Sequence, residues 1–273
     1  MGTSFEDDNT PVSLRIIGAQ IRALRERDGL TRAELGAAVG YSESLIRSVE
    51  RGRRRPQPAM LLRMEEAFQV PGVFAAIGEQ LLKEAHPTWF QPYVDVEAEA
   101  ASLSVYGNLL INGLLQTEAY AYAADAAQQP ALDDDEINGL VAVRLARQQL
   151  LARKPSPSLS FLLEEVVLRR PIGGHDVMRE QLHHLLKVAQ SRHVHIQVMP
   201  TERTDHAGLH GPFTLIEPQD REMCAYVEVQ HFGKLITDRR TVHKLIRRYG
   251  ILQSQALTPE DSMKFIHELA GER

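Results

Sequence analysis

Gly40, set between two short apolar repeats, constrains this chain more than any other residue. Ahead of it, Thr31-Arg32-Ala33-Glu34 has the form of a capping box: the threonine oxygen accepts the amide three residues on, and the glutamate reaches back. Leu35 and Val39 then recur at helical spacing, and Ala37 and Ala38 are expected to keep that helix slim enough for a neighbour to approach. Behind it, Ser42 caps a second run in which Leu45, Ile46 and Val49 face a core, until Gly52 ends it. A glycine between two such runs suits a left-handed cap, which costs little only without a β-carbon. The pattern predicts a helix, a tight turn and a helix, preceded by another helix on Leu14, Ile17, Ile21 and Leu24 that Asp28-Gly29 stops.

A packed helical hairpin needs the glycine but not what surrounds it. The outward face of the second helix carries Glu43, Ser44, Arg47 and Ser48, and Arg51, Arg53, Arg54 and Arg55 follow at its exit. On a helix laid in the major groove of duplex DNA, Arg47 donates to guanine O6 and N7 and Glu43 accepts from cytosine N4. The exit arginines neutralise phosphates, which supplies affinity without sequence choice. Net charge hides this. The chain of 273 residues carries −5, yet Ser13–Val70 holds 11 arginines against 7 acids and no lysine. From Pro71 onward there are 20 bases against 26 acids. A basic module on an acidic body is the pattern of a nucleic-acid reader with a separate second function.

The stretch LRIIGAQIRALRERDGLTRAELGAAVGYSESLIRSVERGRRRPQPAMLLRMEEAF resembles the helix-turn-helix domain of the Xre/Cro/C1-type repressor family over about 60 residues. The resemblance implies a five-helix, lambda-repressor-like bundle whose third helix reads bases through Glu43, Ser44 and Ser48, beside the Arg47 contact read from the exposed helix face. It implies a phosphate anchor at Arg32, and Thr31, Tyr41 and Ser42 around the turn are expected to contact phosphates as well, beside the exit arginines. The family often has glutamine where this chain has Arg32 and Glu43, so the bidentate adenine contact is missing. Glu50 matches a commonly acidic position and is expected to pair with Arg22 or Arg25. Met60 and Met64 belong to an amphipathic core helix, and Val73 to Glu84 forms a further apolar helix that connects or dimerises.

Residues 1–12 read as a disordered acidic tail, 13–84 as the DNA-binding domain with its connecting helix, and 85–273 as an α/β regulatory or partner-binding domain. Pro87 to Pro92 marks the junction. Helices are predicted over Ala98–Gly107, Thr117–Ala127, a segment starting at the acids Asp133–Glu136, His175–Ala189, Asp238–Gln253 and Pro259–Ala270. Strands are predicted over Leu159–Leu168, His193–Met199, Phe213–Glu217 and Ala225–Val229, with a short one at Lys234–Ile236. Their order argues for a mixed α/β fold with a small sheet.

The segments WFQPYVDVEAEA, LLINGLLQTEAYA, VLRRPIGG, VHIQVMP and HAGLHGPFTLIE resemble the C-terminal domain of unknown function found in actinobacterial, Streptomyces-like regulators of the Xre type. That resemblance implies a small partner protein encoded by an adjacent gene, and in some cases an antitoxin-like two-gene module. The loop TDHAGLHGP is the place in this part where function can concentrate: its His206, Gly208, His210 and Gly211 either offer a surface to a ligand or partner or simply connect two strands. His206 and His210 are four apart, but the glycines break helical periodicity and no third ligand follows, so no metal site is expected. Glu164-Glu165, near Arg169 and Arg170, reads as a structural ion pair on a strand, and no nucleophile elbow or phosphate-cradling loop appears.

The expectation is therefore a non-enzymatic, dimeric regulator that binds double-stranded DNA, takes a small protein or small-molecule ligand, and needs no cofactor. An enzyme acting on a nucleotide-like substrate, with a DNA-binding tether, is the alternative. The lone Cys224, the polar N-terminus and the absence of a membrane-spanning run point to a cytoplasmic, nucleoid-associated setting.

Overall fold

The computed structural model describes residues 12–84, 89–230 and 232–271. The expected disordered tail, apart from Val12, and part of the proline-bounded junction lie outside the described residues. The chain divides into two compact units, Met1–Ala85 and His86–Arg273.

Among the described residues the first unit is five helices: α1 (Val12–Arg27), α2 (Arg32–Val39), α3 (Glu43–Glu50), α4 (Pro58–Phe68) and α5 (Val73–Glu84). Their core is one cluster that includes Ile17, Ile21, Leu35, Val39, Ile46, Val49, Met60, Met64, Phe68 and Phe74. Gly29, Gly40 and Gly52 all have positive φ where the sequence places helix stops. The closest approaches, however, occur at glycines inside helices. A β-carbon on Gly18 of α1 would meet the carbonyl oxygens of Val49 and Glu50 at 2.5 and 2.7 Å, and one on Gly36 of α2 would meet the Tyr41 oxygen at 2.5 Å. Gly36 is what keeps α2 slim; Ala37 and Ala38 are exposed.

The second unit is a mixed α/β fold. Strands β1 (Ala100–Gly107), β2 (Ser158–Glu164), β3 (Val194–Met199), β4 (Phe213–Pro218), β5 (Cys224–Val229) and β6 (Phe232–Ile236) form one sheet in the order β3-β2-β1-β4-β5-β6. β1, β2 and β3 run parallel; β4, β5 and β6 add antiparallel strands on the other side of β1. Helices α6 (Gln91–Ala98), α7 (Glu118–Ala126), α8 (Asp134–Arg147), α9 (Glu165–Arg169), α10 (His175–Val188), α11 (Arg239–Gln255) and α12 (Pro259–Gly271) complete it. Alternate strand residues feed two cores, as a pleated strand requires. Leu103, Val105, Phe161 and Ile196 join Met178, Leu182 and Ile266 of α10 and α12 on one face. Tyr106, Leu162, Phe213 and Leu215 join Val242, Leu245, Tyr249 and Leu252 of α11 on the other. No described helix is long and apolar enough to cross a membrane.

Two sequence expectations fail here. Ala98–Gly107 is not a helix: α6 ends at Ala98, and Ala100–Gly107 is the strand that joins the parallel and antiparallel parts of the sheet. The alanines favour a helix, but Leu103, Val105 and the serines beside them alternate with period two, and burial on the sheet outweighs propensity. Likewise the strand at Leu159 stops at Glu164, and Glu165–Arg169 turns into the short helix α9. Its Glu165 and Arg169 pair at 2.6 Å with i,i+4 spacing, so the structural ion pair exists but on a helix.

Candidate nucleic-acid interface

The turn between α2 and α3 is built by local chemistry. Thr31 Oγ1 accepts from the Glu34 amide at 3.2 Å while Glu34 Oε2 accepts from the Thr31 amide at 2.8 Å, closing the capping box. Gly40 sits at φ 76° as the α2 cap. Ser42 Oγ accepts from the Leu45 amide at 3.3 Å, which fixes where α3 begins. Arg63 of α4 braces the turn from behind: it donates to the Val39 carbonyl at 3.0 Å and lies over the Tyr41 ring at 5.7 Å.

Ile46 and Val49 anchor α3 in the core, and the helix turns Glu43, Ser44 and Arg47 to solvent with Ser48 half-buried. Ser48 Oγ donates to the Ser44 carbonyl at 3.0 Å. Arg47 Nη2 donates to Glu43 Oε1 at 2.7 Å. The two charged side chains among those predicted to read bases thus neutralise one another in the free protein. Both are about half exposed, so the pair is weak, worth roughly 0–1 kcal/mol, and a base edge can compete for either partner.

The predicted phosphate contacts divide. Thr31, Ser42, Arg51 and Arg53 are exposed, and Tyr41 is half-buried against the core. Arg54 and Arg55 are engaged within the protein, Arg55 through the Leu81 carbonyl of α5. The exit cluster is therefore not four equivalent phosphate ligands. Arg32 departs further from expectation. Its Nε donates at 2.6 Å to Glu50 Oε2, while Arg25 Nε donates at 2.5 Å to Glu50 Oε1. Glu50 pairs with Arg25, as the sequence suggests, but not with Arg22, whose partner is Glu26 at 2.8 Å. One buried carboxylate thus holds two guanidiniums, and that of Arg32, about one-third exposed, keeps further donors on its Nη atoms.

In the second unit, the loop after β3 places His206, Gly208, His210 and Gly211 unequally. His206 Nε2 lies 3.6 Å from Glu164, and its Nδ1 accepts from the Gly208 amide at 3.2 Å. Glu164 also accepts the Tyr106 hydroxyl at 2.6 Å. Burial first, and Glu164 second, push that hydroxyl well above the ordinary phenol range, so it remains a donor. Gly208 lies on Tyr106, where a β-carbon would meet the hydroxyl oxygen at 2.1 Å. The glycine serves a close approach to the protein's own tyrosine, while His210 and Leu209 face solvent. Among the described residues no group of three potential metal ligands comes together. Gly208→Ala is expected to lift this loop off the sheet at a cost of about 1–3 kcal/mol; exchange of the Ala207 amide, which Gln255 accepts at 3.0 Å, measures it, and unchanged protection there would show that the contact is dispensable.

Residues 16–76 match a family described as a helix-turn-helix domain, and residues 90–268 match the domain of unknown function DUF5753. Over 59 residues, 22% of this chain and 77% of the relative, the chain is 36% identical to y4dJ, an uncharacterized HTH-type transcriptional regulator of Sinorhizobium fredii. No solved structure matches the chain.

Proposed function

Because the chain belongs to the family defined by the DUF5753 domain, with a helix-turn-helix domain ahead of it, we propose that it is a sequence-specific DNA-binding transcriptional regulator. In this reading α3 lies in the major groove, Arg47 leaves Glu43 to donate to guanine O6 and N7, and Glu43 is freed to accept from cytosine N4. Ser44 and Ser48 adapt to the bases beside them. Arg51 and Arg53 take phosphates, joined by Thr31, Ser42 and the remaining donors of Arg32. One such module makes too few contacts for tight, specific binding, so the protein acts as a homodimer with its two α3 helices about 34 Å apart, one turn of DNA. The second unit receives a small partner protein or ligand that modulates binding.

The observation that carries this reading is the exposed Glu43–Arg47 face, held in register by the Ser42 cap and flanked by exposed Arg51 and Arg53. Selection from a random duplex library yields a binding site, and Arg47→Ala is then measured against it. Loss of about 1–3 kcal/mol at a guanine-containing position, with little change on mismatched duplex, is the expected result. An unchanged selected consensus would place the reading surface elsewhere.

A further inference from the structure

Helix α11, RRTVHKLIRRYGILQSQ, packs on the sheet through Val242, Leu245, Tyr249 and Leu252. Its opposite face is a single-sign surface. Arg239, Arg240, His243, Lys244 and Arg247 are exposed, Arg248 is half-buried, and no acid occurs between Arg239 and Pro259. Among the described residues none of these five arginines and lysines forms an ion pair; Asp238, which caps the helix by accepting from the Thr241 amide at 2.8 Å, reaches Lys244 only through its longer-range field. This lies in the part of the chain with 20 bases against 26 acids, and a quarter of those bases fall within ten residues.

A solvated helix face ordinarily mixes signs, because i,i+4 opposites stabilise it and like charges do the reverse. Here Arg240 and Lys244, and Lys244 and Arg248, repel at that spacing. Arg239 and Arg240 also occupy the first turn, where the helix dipole disfavours cations. The arrangement opposes folding twice, and a polyanion relieves both conflicts. Arg239 to Arg248 spans about 13 Å of helix, the axial length of about four phosphates on one DNA strand. Four of the five formal cations are arginine, whose planar fork matches phosphate. Protein interfaces concentrate aromatic residues and exclude charge from their centre, and this face presents no exposed aromatic residue.

We propose that the basic face of α11 is a second DNA contact, binding the phosphate backbone without base readout, so that the DUF5753 unit adds directly to DNA affinity. This rests on the DNA-binding reading above. The test uses the full chain and a mixed-sequence duplex of about three helical turns, with affinity measured by anisotropy across a salt series. Arg240→Gln/Lys244→Gln/Arg247→Gln is expected to lower the salt slope by about 2–3 and to weaken binding on the order of a hundredfold at the lowest salt. Arg240→Lys/Arg247→Lys, which keeps the charge, retains the wild-type slope. An unchanged slope in the Gln variant, while Arg51→Gln/Arg53→Gln lowers it, overturns the α11 contact and leaves the helix-turn-helix reading standing. If neither set moves the slope, the DNA-binding reading falls and this proposal with it. Equal losses in the Gln and Lys variants show a structural effect and overturn it, as does loss of binding to a polyglutamate probe with duplex affinity intact.

Discussion

Arg147→Met is expected to destabilise the second unit by about 3–5 kcal/mol, because it strands a buried carboxylate. Glu97 is 2% exposed. It accepts two hydrogen bonds from Arg147, at 2.7 Å from Nε and 2.8 Å from Nη2, and a third from the Tyr93 hydroxyl at 2.5 Å. Arg147 lies over the rings of Phe90 at 5.1 Å and Tyr93 at 5.5 Å, and Tyr93 stacks on Tyr226 of β5 at 4.3 Å. Burial alone pulls the guanidinium pKa down, but the charge and hydrogen bonds of Glu97 outweigh it and hold it above its ordinary value. The pair therefore ties α6 and α8 together beneath an aromatic stack that reaches the sheet. Methionine keeps much of the stem's volume and removes only the charge and its donors. The double variant Glu97→Leu/Arg147→Met removes both charges and is expected to be more stable than the single one. Trp89 is the single tryptophan of the chain and lies against Phe90, so urea unfolding followed by its fluorescence reads this unit. A single-variant cost below about 1 kcal/mol would be that of a solvent-exposed pair and would contradict the buried role.

This cluster also shows what a sequence hides. The caps of α2 and α3 were legible because each is a contact within three residues, Thr31 with Glu34 and Ser42 with Leu45. Glu97 and Arg147 are 50 residues apart, and nothing in either neighbourhood marks them as partners. Arg32 and Glu50 pair across 18 residues for the same reason, and a side chain expected only on a phosphate also serves the core. Order and type of the elements around the sheet were largely readable from period-two runs and caps. β1 was not, because its alanines and the preceding acids resemble a helix until the serine–apolar alternation is weighed. The loop at His206 looked open because its glycines suggest approach by something external, yet its partner is Tyr106, about 100 residues earlier. The cations of α11 stand plainly in RRTVHKLIRR and were masked by the net acidity of the part of the chain around them.

Gly18→Ala tests the most concealed of these contacts. In an exposed helix interior, replacing glycine by alanine stabilises by up to about 1 kcal/mol, and Gly250 of α11, exposed with nothing within 4 Å of an added β-carbon, is expected to behave so. At Gly18 the added carbon meets the carbonyl oxygens of Val49 and Glu50, which are backbone and cannot swing aside. α1 must then move away from α3. That separation loosens Ile17 and Ile21 from Ile46 and Val49 and disturbs the carboxylate of Glu50, which holds Arg25 and Arg32. The expected cost is at or above the upper end of the 1–3 kcal/mol typical of overpacking, opposite in sign to that at Gly250. Because α3, which loses its packing against α1, carries Glu43 and Arg47, DNA affinity falls with stability, although residue 18 is buried and touches no DNA in the proposed complex. Hydrogen exchange of the α1 and α3 amides in the two variants decides it. Faster exchange there in Gly18→Ala, with Gly250→Ala unchanged, is the predicted result; equal protection in both would mean that α1 and α3 do not approach each other as closely as the Gly18 contact requires.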